Sequence, residues 1–333
     1  MDSVTHLVMG ATFGDALLGK KIGKPAMLWG ALAASIPDID VIFVPFFDPP
    51  FSLTIHRGFT HSVLFAVLVI PLLAYLFSKR YNRAASFKDW SILFALGLFS
   101  HIFIDACTSY GTGWFEPFSH YRVTFNNIFV ADPVYTLPLL VSTIALWIIR
   151  KDSGRRGRWQ KIGLVGSTLY LGLTFANKAY VNSVFHSSLE EQQIKASRFF
   201  STPTPLNNLL WMGVAEDSTG YHIGYFSDLD KDHHIAFHYV PKNDSLLAGK
   251  DPAVVETLKW FSGNYYCVTG NDSAVRFNDL RFGQFPGWVD PNAPFAFSFN
   301  LNRKGKQNAL QRGNFKGSVS ENFSKLLRRI AGK

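Results

Sequence analysis

The stretch HRGFTHSVLFAVLVIPLLAYLFSKR, residues 56–80, combines the features that decide the architecture of this chain. Its apolar part, residues 61–78, is long enough for an α-helix to cross a lipid bilayer. Two histidines lie at one end of the stretch, and Lys79 and Arg80 lie at the other. Ionisable residues are costly beside hydrocarbon, so the histidine end predicts a functional site at one surface of a membrane.

The chain of 333 residues is 47% hydrophobic and only 17% charged. Long apolar stretches fill its first half, at residues 5–19, 26–47, 61–78, 89–108, 130–149 and 162–178. They predict an α-helical polytopic membrane bundle of about five or six spans, because about 20 apolar residues cross a bilayer. The first stretch is the weakest candidate, since glycines and Asp15 interrupt it, so it packs inside the bundle or lies in the interface. We assign residues 1–185 to this transmembrane domain.

The remaining residues, 186–333, have the pattern of a soluble α+β domain. Short runs of alternating polarity, such as residues 221–226 and 235–239, predict an antiparallel sheet. Helices are predicted over residues 187–200 and 252–262.

A basic segment ends the chain. Nine Lys or Arg residues against one Glu lie between residues 303 and 333, so this segment carries +8 of the formal net charge of +9. Such a segment binds nucleic acid or anionic lipid, and in a membrane protein we favour lipid and expect no nucleic-acid partner. Its last helix is amphipathic, which suits either a lipid surface or docking on the domain. The apolar positions are Phe323, Leu326, Leu327 and Ile330.

Basic residues between the apolar stretches predict the orientation of the bundle. They cluster at residues 20–24, 79–83 and 150–161, and the positive-inside rule places these loops in the cytoplasm. If the stretches make about six spans, the loops at 48–60 and 109–130 and the whole C-terminal domain are non-cytoplasmic.

Five short polar clusters lie at ends of apolar stretches, and this orientation places all of them at the outer face. They are Asp2-Ser-Val-Thr-His6, Pro37-Asp-Ile-Asp40, His56-Arg-Gly-Phe-Thr-His61, His101-Ile-Phe-Ile-Asp105 and Asp132-Pro133. His and Asp bind zinc and similar divalent ions, and the two cysteines, Cys107 and Cys267, are too few for a Cys-based zinc site. A metal centre at the outer face follows from this convergence.

The candidate ligands exceed what one tetrahedral ion needs, so they predict two or three divalent ions, with Zn²⁺ expected. They are Asp2, His6, Asp38, Asp40, His56, His61, His101, Asp105 and Asp132. Clustered ions activate water and stabilise a phosphoryl or acyl transition state. In that chemistry Arg57 would hold an anionic group, and the general base would be a metal-bound hydroxide or a carboxylate such as Asp40.

Structural roles remain open for several of these residues. The pairs Asp2–His6 and His101–Asp105 have i,i+4 spacing, which suits a hydrogen bond between helices as well as a shared ion. Asp132 precedes Pro133 in the pattern of a helix N-cap, which explains it without a metal.

As a set, the motifs Asp2-xxx-His6, Pro-Asp-Ile-Asp40, His-Arg-Gly-x-Thr-His61, His-xxx-Asp105 and Asp132-Pro133 resemble those of the YdjM-type membrane-bound, metal-dependent hydrolases. The resemblance covers about residues 1–180 and implies a multi-pass protein of the bacterial inner membrane with hydrolase activity. The His/Asp pattern is more distantly similar to zinc-dependent phospholipase C and the P1-type nucleases. That similarity implies phosphodiester hydrolysis at a site of three zinc ions.

We therefore predict a membrane-bound metal-dependent hydrolase that acts on a phosphoester, such as a phospholipid headgroup at the outer face. The rival interpretation is a non-catalytic membrane protein whose polar clusters stabilise the bundle or bind a metal for sensing or transport. Ionisable residues at one end of the bundle disfavour a transporter, which places its site near the bilayer midplane.

Overall fold

The structure, a computed structural model, describes residues 1–48, 50–81, 84–271, 274–301, 311–312 and 319–333. It divides into two compact units. The helical unit comprises Met1–Val44, Ile55–Phe175 and Pro205–Asn207, and the sheet unit comprises Pro45–Thr54, Ala176–Thr204 and Asn208–Lys333. The predicted domain boundary at 185/186 stays a prediction. Some of the basic residues used above lie outside the described residues, namely Arg83, Arg303, Lys304, Lys306 and Lys316.

Helices α1 to α7 carry most of the first part of the chain. They are α1 (Ser3–Ile22), α2 (Pro25–Ala33), the single turn α3 (Ser52–Ile55), α4 (Val63–Arg80), α5 (Phe87–Ala106), α6 (Pro133–Ile148) and α7 (Arg156–Glu191). Short 3₁₀ helices at Pro37–Ile42 and Phe59–His61 separate α2 from α4. These two short elements position the site described below.

Glycines allow α1 and α2 to pack with their backbones in contact. A Cβ atom added at Gly10 would lie 2.2 Å from the carbonyl oxygen of Gly30, and one added at Gly14 would lie 1.9 Å from that of Ala26. Small residues at four-residue spacing permit such close crossings of apolar helices. Glycines made the first apolar stretch a weak candidate for a membrane span. In the structure they allow α1 to pack closely against α2.

Two of the described helices, α4 and α5, are long and apolar enough to cross a membrane. Helix α2 and the segment Pro37–Phe46, bent by 64°, make a third if the pair is one broken span. Helix α6 is apolar but has only 16 residues. The prediction of a membrane part followed by a sheet region is confirmed, whereas the count of five or six spans stays a prediction.

Helix α4 shows how one apolar helix divides its surface. Ala66, Ile70 and Ala74 are buried at four-residue spacing, on one face of the helix. Leu68 and Leu72 are more than half exposed, which suits contact with lipid. The hydroxyl of Ser62 caps the helix by accepting the Phe65 N–H at 3.0 Å. A site residue just before Val63 therefore lies at the membrane-surface end of α4.

The sheet unit contains two antiparallel sheets with strand orders β1-β2-β3-β4 and β5-β6-β7-β8. The strands are β1 (Arg198–Pro203), β2 (Leu210–Glu216), β3 (Gly220–Ser227), β4 (His238–Pro241), β5 (Tyr266–Asn271), β6 (Ala274–Asp279), β7 (Phe297–Leu301) and β8 (Gln311–Arg312). Helix α8 (Pro252–Phe261) confirms the helix predicted over 252–262. The helix predicted over 187–200 was wrong in its second half, because α7 ends at Glu191 and β1 begins at Arg198.

The amphipathic C-terminal helix is α9 (Val319–Ile330). Leu326 packs with Leu210 and Trp288, and Arg329 makes an ion pair of 2.6 Å with Asp230. Of the two roles left open by the sequence, these contacts support docking of this helix on its own domain.

Candidate metal centre

Three segments of the helical unit bring the polar clusters together, namely the 3₁₀ helix Pro37–Ile42, residues 56–61 before α4, and the C-terminal end of α5. Pro37 ends the turn after α2 and begins a 3₁₀ helix that carries Asp38 and Asp40. With about three residues per 3₁₀ turn, two residues that are two positions apart point in different directions. His101 and Asp105 of α5 are i,i+4 neighbours and share one helix face.

Four side chains, Asp38, His61, His101 and Asp105, place one ligand atom each around a common point. The Nε2 atoms of His61 and His101 are 3.2 Å apart. Oδ1 of Asp38 and Oδ2 of Asp105 each lie 3.5 Å from both of these nitrogens. A tetrahedral ion with bonds of about 2.0–2.1 Å holds its ligands ~3.3–3.4 Å apart. The four atoms thus fit a zinc-like ion.

Hydrogen bonds at the far side of each imidazole orient the two Nε2 atoms. His101 Nδ1 donates to the carbonyl oxygen of Ala34 at 2.5 Å, while His61 Nδ1 lies 3.1 Å from Thr60 Oγ1 and 3.4 Å from Asp40 Oδ2. A neutral imidazole that is protonated at Nδ1 presents a lone pair at Nε2. Two such lone pairs face each other here, an arrangement that a proton or a metal ion between them stabilises.

The buried carboxylates favour positive charge at this point. Asp38, Asp40 and Asp105 each place a carboxylate oxygen within 3.5 Å of a His61 ring nitrogen. Oδ2 of Asp105 is buried and accepts no hydrogen bond within the described residues, although three nitrogens lie within 3.5 Å of it. An acceptor with close but misaligned donors suits a cation better than a hydrogen-bond network.

A second, more open group consists of Asp38, Asp40 and His56. His56 Nδ1 lies 3.1 Å from Asp40 Oδ1, and Asp40 Oδ2 accepts the Arg57 N–H at 2.9 Å and the Thr60 hydroxyl at 3.0 Å. Asp38 belongs to both groups, and its side chain is 25% exposed. A carboxylate in this position is suited to bridge two ions.

Arg57 is the charged residue that links the two groups. It is only 5% exposed, its Nε lies 3.0 Å from Asp105 Oδ2, and its Nη1 donates to Thr108 Oγ1 at 3.0 Å. Its guanidinium lies 4.9 Å from the centre of the Tyr110 ring. Thr108 and Tyr110 were not predicted from the sequence. Their one signal there is that they lie three and five positions after Asp105.

The structure places the other three predicted ligands outside both groups. His6 stacks on His101 with ring centres 3.7 Å apart, and its Nε2 lies 3.1 Å from Asp105 Oδ1, which the Met1 amino group also contacts. Asp2 caps α1 by accepting the Thr5 N–H at 3.0 Å. Asp132 caps α6 and accepts the Tyr170 hydroxyl at 2.8 Å. The capping role left open for Asp132 is therefore the one that the structure supports.

The family model described as YdjM inner membrane protein matches residues 1–181, more than half of the chain and every residue of both groups. The chain belongs to the YdjM inner membrane protein family. This family protein is 28% identical to the uncharacterized protein YfhP of Bacillus subtilis (strain 168) over 308 residues, which is 86% of this chain and 89% of YfhP. It is 36% identical to the inner membrane protein YbcI of Escherichia coli (strain K12) over 122 residues, 36% of this chain and 69% of YbcI.

Family membership and the apolar helices identify the protein as an inner membrane protein. No solved structure matches this YdjM-family chain. The more distant similarity to zinc-dependent phospholipase C and the P1-type nucleases is not shown by these comparisons and stays a prediction.

Proposed function

We propose that this protein is a metal-dependent hydrolase with two divalent ions, Zn²⁺ being expected, that acts on a membrane phosphoester. The observation that carries the proposal is that two groups of ligands share Asp38: the group of Asp38, His61, His101 and Asp105 has tetrahedral spacing, and the neighbouring group of Asp38, Asp40 and His56 offers only three ligands. Three carboxylates, Asp38, Asp40 and Asp105, belong to these two overlapping groups, and like charges this close together are stabilised by a cation between them.

The two groups differ in the number of ligands that they offer. Asp38, His61, His101 and Asp105 would fill a tetrahedral shell, as in structural zinc sites. Asp38, Asp40 and His56 supply three ligands and would leave one position for water or substrate, as in catalytic zinc sites. An ion there would supply activation of water and stabilisation of negative charge. We assign catalysis to this more open group.

Residues around the second group have defined tasks in this proposal. Asp40 holds the His56 imidazole and the turn that carries Arg57 through its two carboxylate oxygens. The base role predicted for Asp40 would require one of these contacts to open. Arg57 supplies a buried positive charge beside Asp105, where it would hold an anionic phosphate oxygen.

The location of the centre favours a lipid substrate. His61 precedes the first residue of α4 by two positions, and Asp105 lies in the last turn of α5. The two groups thus lie at one end of the membrane-crossing pair, at the depth of lipid headgroups. We propose that this end, together with the C-terminal domain, is non-cytoplasmic, since the basic loops belong to the opposite end.

A second candidate function is a non-catalytic protein with a structural or sensing metal site. The observation that favours it is the first group, because four protein ligands leave no position for a substrate. Only the three-ligand group distinguishes the hydrolase from this alternative.

Metal analysis of the purified protein, combined with an assay on a soluble phosphodiester and on phospholipid vesicles, tests the proposal. We expect about two equivalents of transition metal, hydrolysis that a chelator abolishes and added Zn²⁺ restores, and loss of both metal and hydrolysis in His56→Ala/His61→Ala. His120→Ala is the matched control, because His120 is exposed, pairs with Glu116 and belongs to neither group. A metal-free parent protein would refute the centre, and a metal-loaded protein without hydrolysis would support the second candidate.

A further inference from the structure

A closed loop, residues 112–123, lies beside the metal centre and is named here the aromatic loop. Thr112 and Val123 form an antiparallel bridge at its base, with N–H···O distances of 3.0 and 2.9 Å. The Gly113 N–H donates to the carbonyl oxygen of Arg57 at 2.9 Å, and Arg122 Nη2 donates to that of His56 at 2.8 Å. The base of the loop is therefore held by the same segment that carries the ligands.

The tip of the aromatic loop exposes three large rings. Phe115 is 51% exposed, Phe118 is 84% exposed and Tyr121 is 64% exposed. Trp114, in contrast, packs against the core of the bundle. Exposed rings of this size are costly in water, and grouped exposed apolar side chains mark an interaction surface.

The depth of the loop follows from a contact with a membrane-crossing helix. The N–H of Val63, the first residue of α4, donates to the carbonyl oxygen of Trp114 at 3.0 Å. The loop connects the end of α5 to the start of α6 and so leaves the bundle at this same end. The start of the loop accordingly lies at the level where α4 begins.

We propose that the aromatic loop inserts Phe115, Phe118 and Tyr121 into the headgroup region of the bilayer, beside the metal centre. Aromatic rings are enriched at both membrane–water interfaces, where an apolar body and a polar edge are both accommodated. The exposed His120 and the half-buried Glu116, whose atoms are 2.8 Å apart, supply polar groups on the same loop. A lipid interface fits better than a protein partner, because the loop is hydrogen-bonded through Trp114 to the first residue of α4, a helix whose Leu68 and Leu72 are exposed as in a lipid-facing surface.

Site-directed spin labelling measures this depth without relying on any enzymatic activity. Phe118→Cys and, separately, Tyr121→Cys would be labelled with a nitroxide in lipid nanodiscs, and collisions with oxygen would be compared with collisions with a water-soluble nickel chelate. The native Cys107 and Cys267 are buried, and replacing both with Ala removes any residual labelling. Leu72→Cys on the exposed face of α4 is the bilayer reference, and Asp152→Cys between α6 and α7 is the water reference.

We expect the ratio of oxygen to nickel collisions at both loop positions to exceed that at Asp152 several-fold and to remain below that at Leu72. A nickel accessibility equal to that at Asp152 would place the aromatic loop in water and overturn the proposal. A label shielded from both reagents would indicate a protein contact and would overturn it equally. Loss of the proposed hydrolase function would leave this measurement unchanged, so the two proposals fail separately.

Discussion

His61 and His101 are 40 positions apart in sequence, yet their Nε2 atoms lie 3.2 Å from each other. His61 precedes α4, whereas His101 lies within α5, so only the packing of this helix pair brings the rings together. Each ring has its Nδ1 directed to an oxygen and its Nε2 directed to the other ring. Histidines that bind one metal ion are oriented in this way, with one ring nitrogen hydrogen-bonded to an oxygen and the other directed to the ion.

His101→Ala separates a metal ligand from a residue that only holds helices together. We expect the variant to remain in the membrane while hydrolysis of a phosphodiester falls by several orders of magnitude, because His101 and the catalytic group share the ligand Asp38, which the first ion would hold in place. If His101 only makes a hydrogen bond between helices, the cost would instead be about 1 kcal/mol of stability. A thermal melt and a rate measured on the same preparation decide between these outcomes.

His56→Ala tests the assignment of different tasks to the two groups. His56 belongs only to the three-ligand group, whereas Asp38, His61, His101 and Asp105 remain intact. We expect metal content to fall from about two equivalents to about one, with hydrolysis lost although the first ion stays bound. Retention of full activity with one ion would assign catalysis to the first group instead.

Asp132→Ala measures how much the N-cap of α6 contributes to stability, while all six ligands of the two groups remain in place. Its Oδ1 accepts the Val134 N–H at 2.9 Å, and its Oδ2 accepts the Tyr170 hydroxyl at 2.8 Å. Loss of a helix N-cap typically costs about 1 kcal/mol, so we expect a lower melting temperature with unchanged metal content. Tyr170→Phe removes only the second contact and should have a smaller effect. Loss of metal in Asp132→Ala would show that Asp132 is a metal ligand, as the sequence predicted.

Much of the centre could be predicted from the sequence because its residues occur in short motifs at the ends of apolar stretches. Six of the nine predicted ligands belong to the two groups. Asp2 and Asp132 were predicted as ligands but cap helices instead. A carboxylate just before a helix can serve as an N-cap or as a metal ligand, and the residue pattern is the same for both roles. Sequence spacing alone does not separate these roles, whereas the position of each oxygen does.

Other parts of the site depend on contacts that no motif records. The carbonyl oxygen of Ala34 accepts a bond from His101 because α2 ends at Ala33 and leaves carbonyl groups without helical partners. Gly10 and Gly14 weaken the apolar pattern of the first stretch, although together with Gly30 they are what allows α1 and α2 to meet. A hydropathy profile averages the hydrophobicity of residues along the chain and contains no information about contacts between helices.

Gly14→Ala tests that packing. The added Cβ would lie 1.9 Å from the backbone oxygen of Ala26, so the two helices would have to separate. We expect a loss of stability larger than about 1 kcal/mol, as measured by thermal unfolding in detergent, because overpacking of a tight contact typically costs about 1–3 kcal/mol. Gly172→Ala is the matched control, since nothing lies within 4 Å of its added Cβ. Equal stability of both variants would show that the α1–α2 contact tolerates a larger separation.

The orientation of the metal centre is the last prediction. Lys21 of α1 makes an ion pair of 2.5 Å with Asp89 near the start of α5, whereas Asp105 lies at the other end of that helix. Lys79 and Arg80 end α4, while His61 lies just before its start. Basic residues and the metal centre therefore occupy opposite ends of the α4–α5 pair, and the positive-inside rule places the centre on the non-cytoplasmic side.

Two measurements in intact cells test this orientation. A C-terminal alkaline phosphatase fusion should be active, while a reporter that matures only in the cytoplasm should remain dark. A membrane-impermeant thiol reagent should modify a cysteine introduced at His120, on the exposed aromatic loop, and should leave one at Asp152 unmodified until the cells are opened. The first result reports the side of the C-terminal domain, and the second reports the side of the metal centre itself. Modification of Asp152→Cys alone would place the centre at the cytoplasmic face, and its substrate would then be sought among cytoplasmic-leaflet lipids.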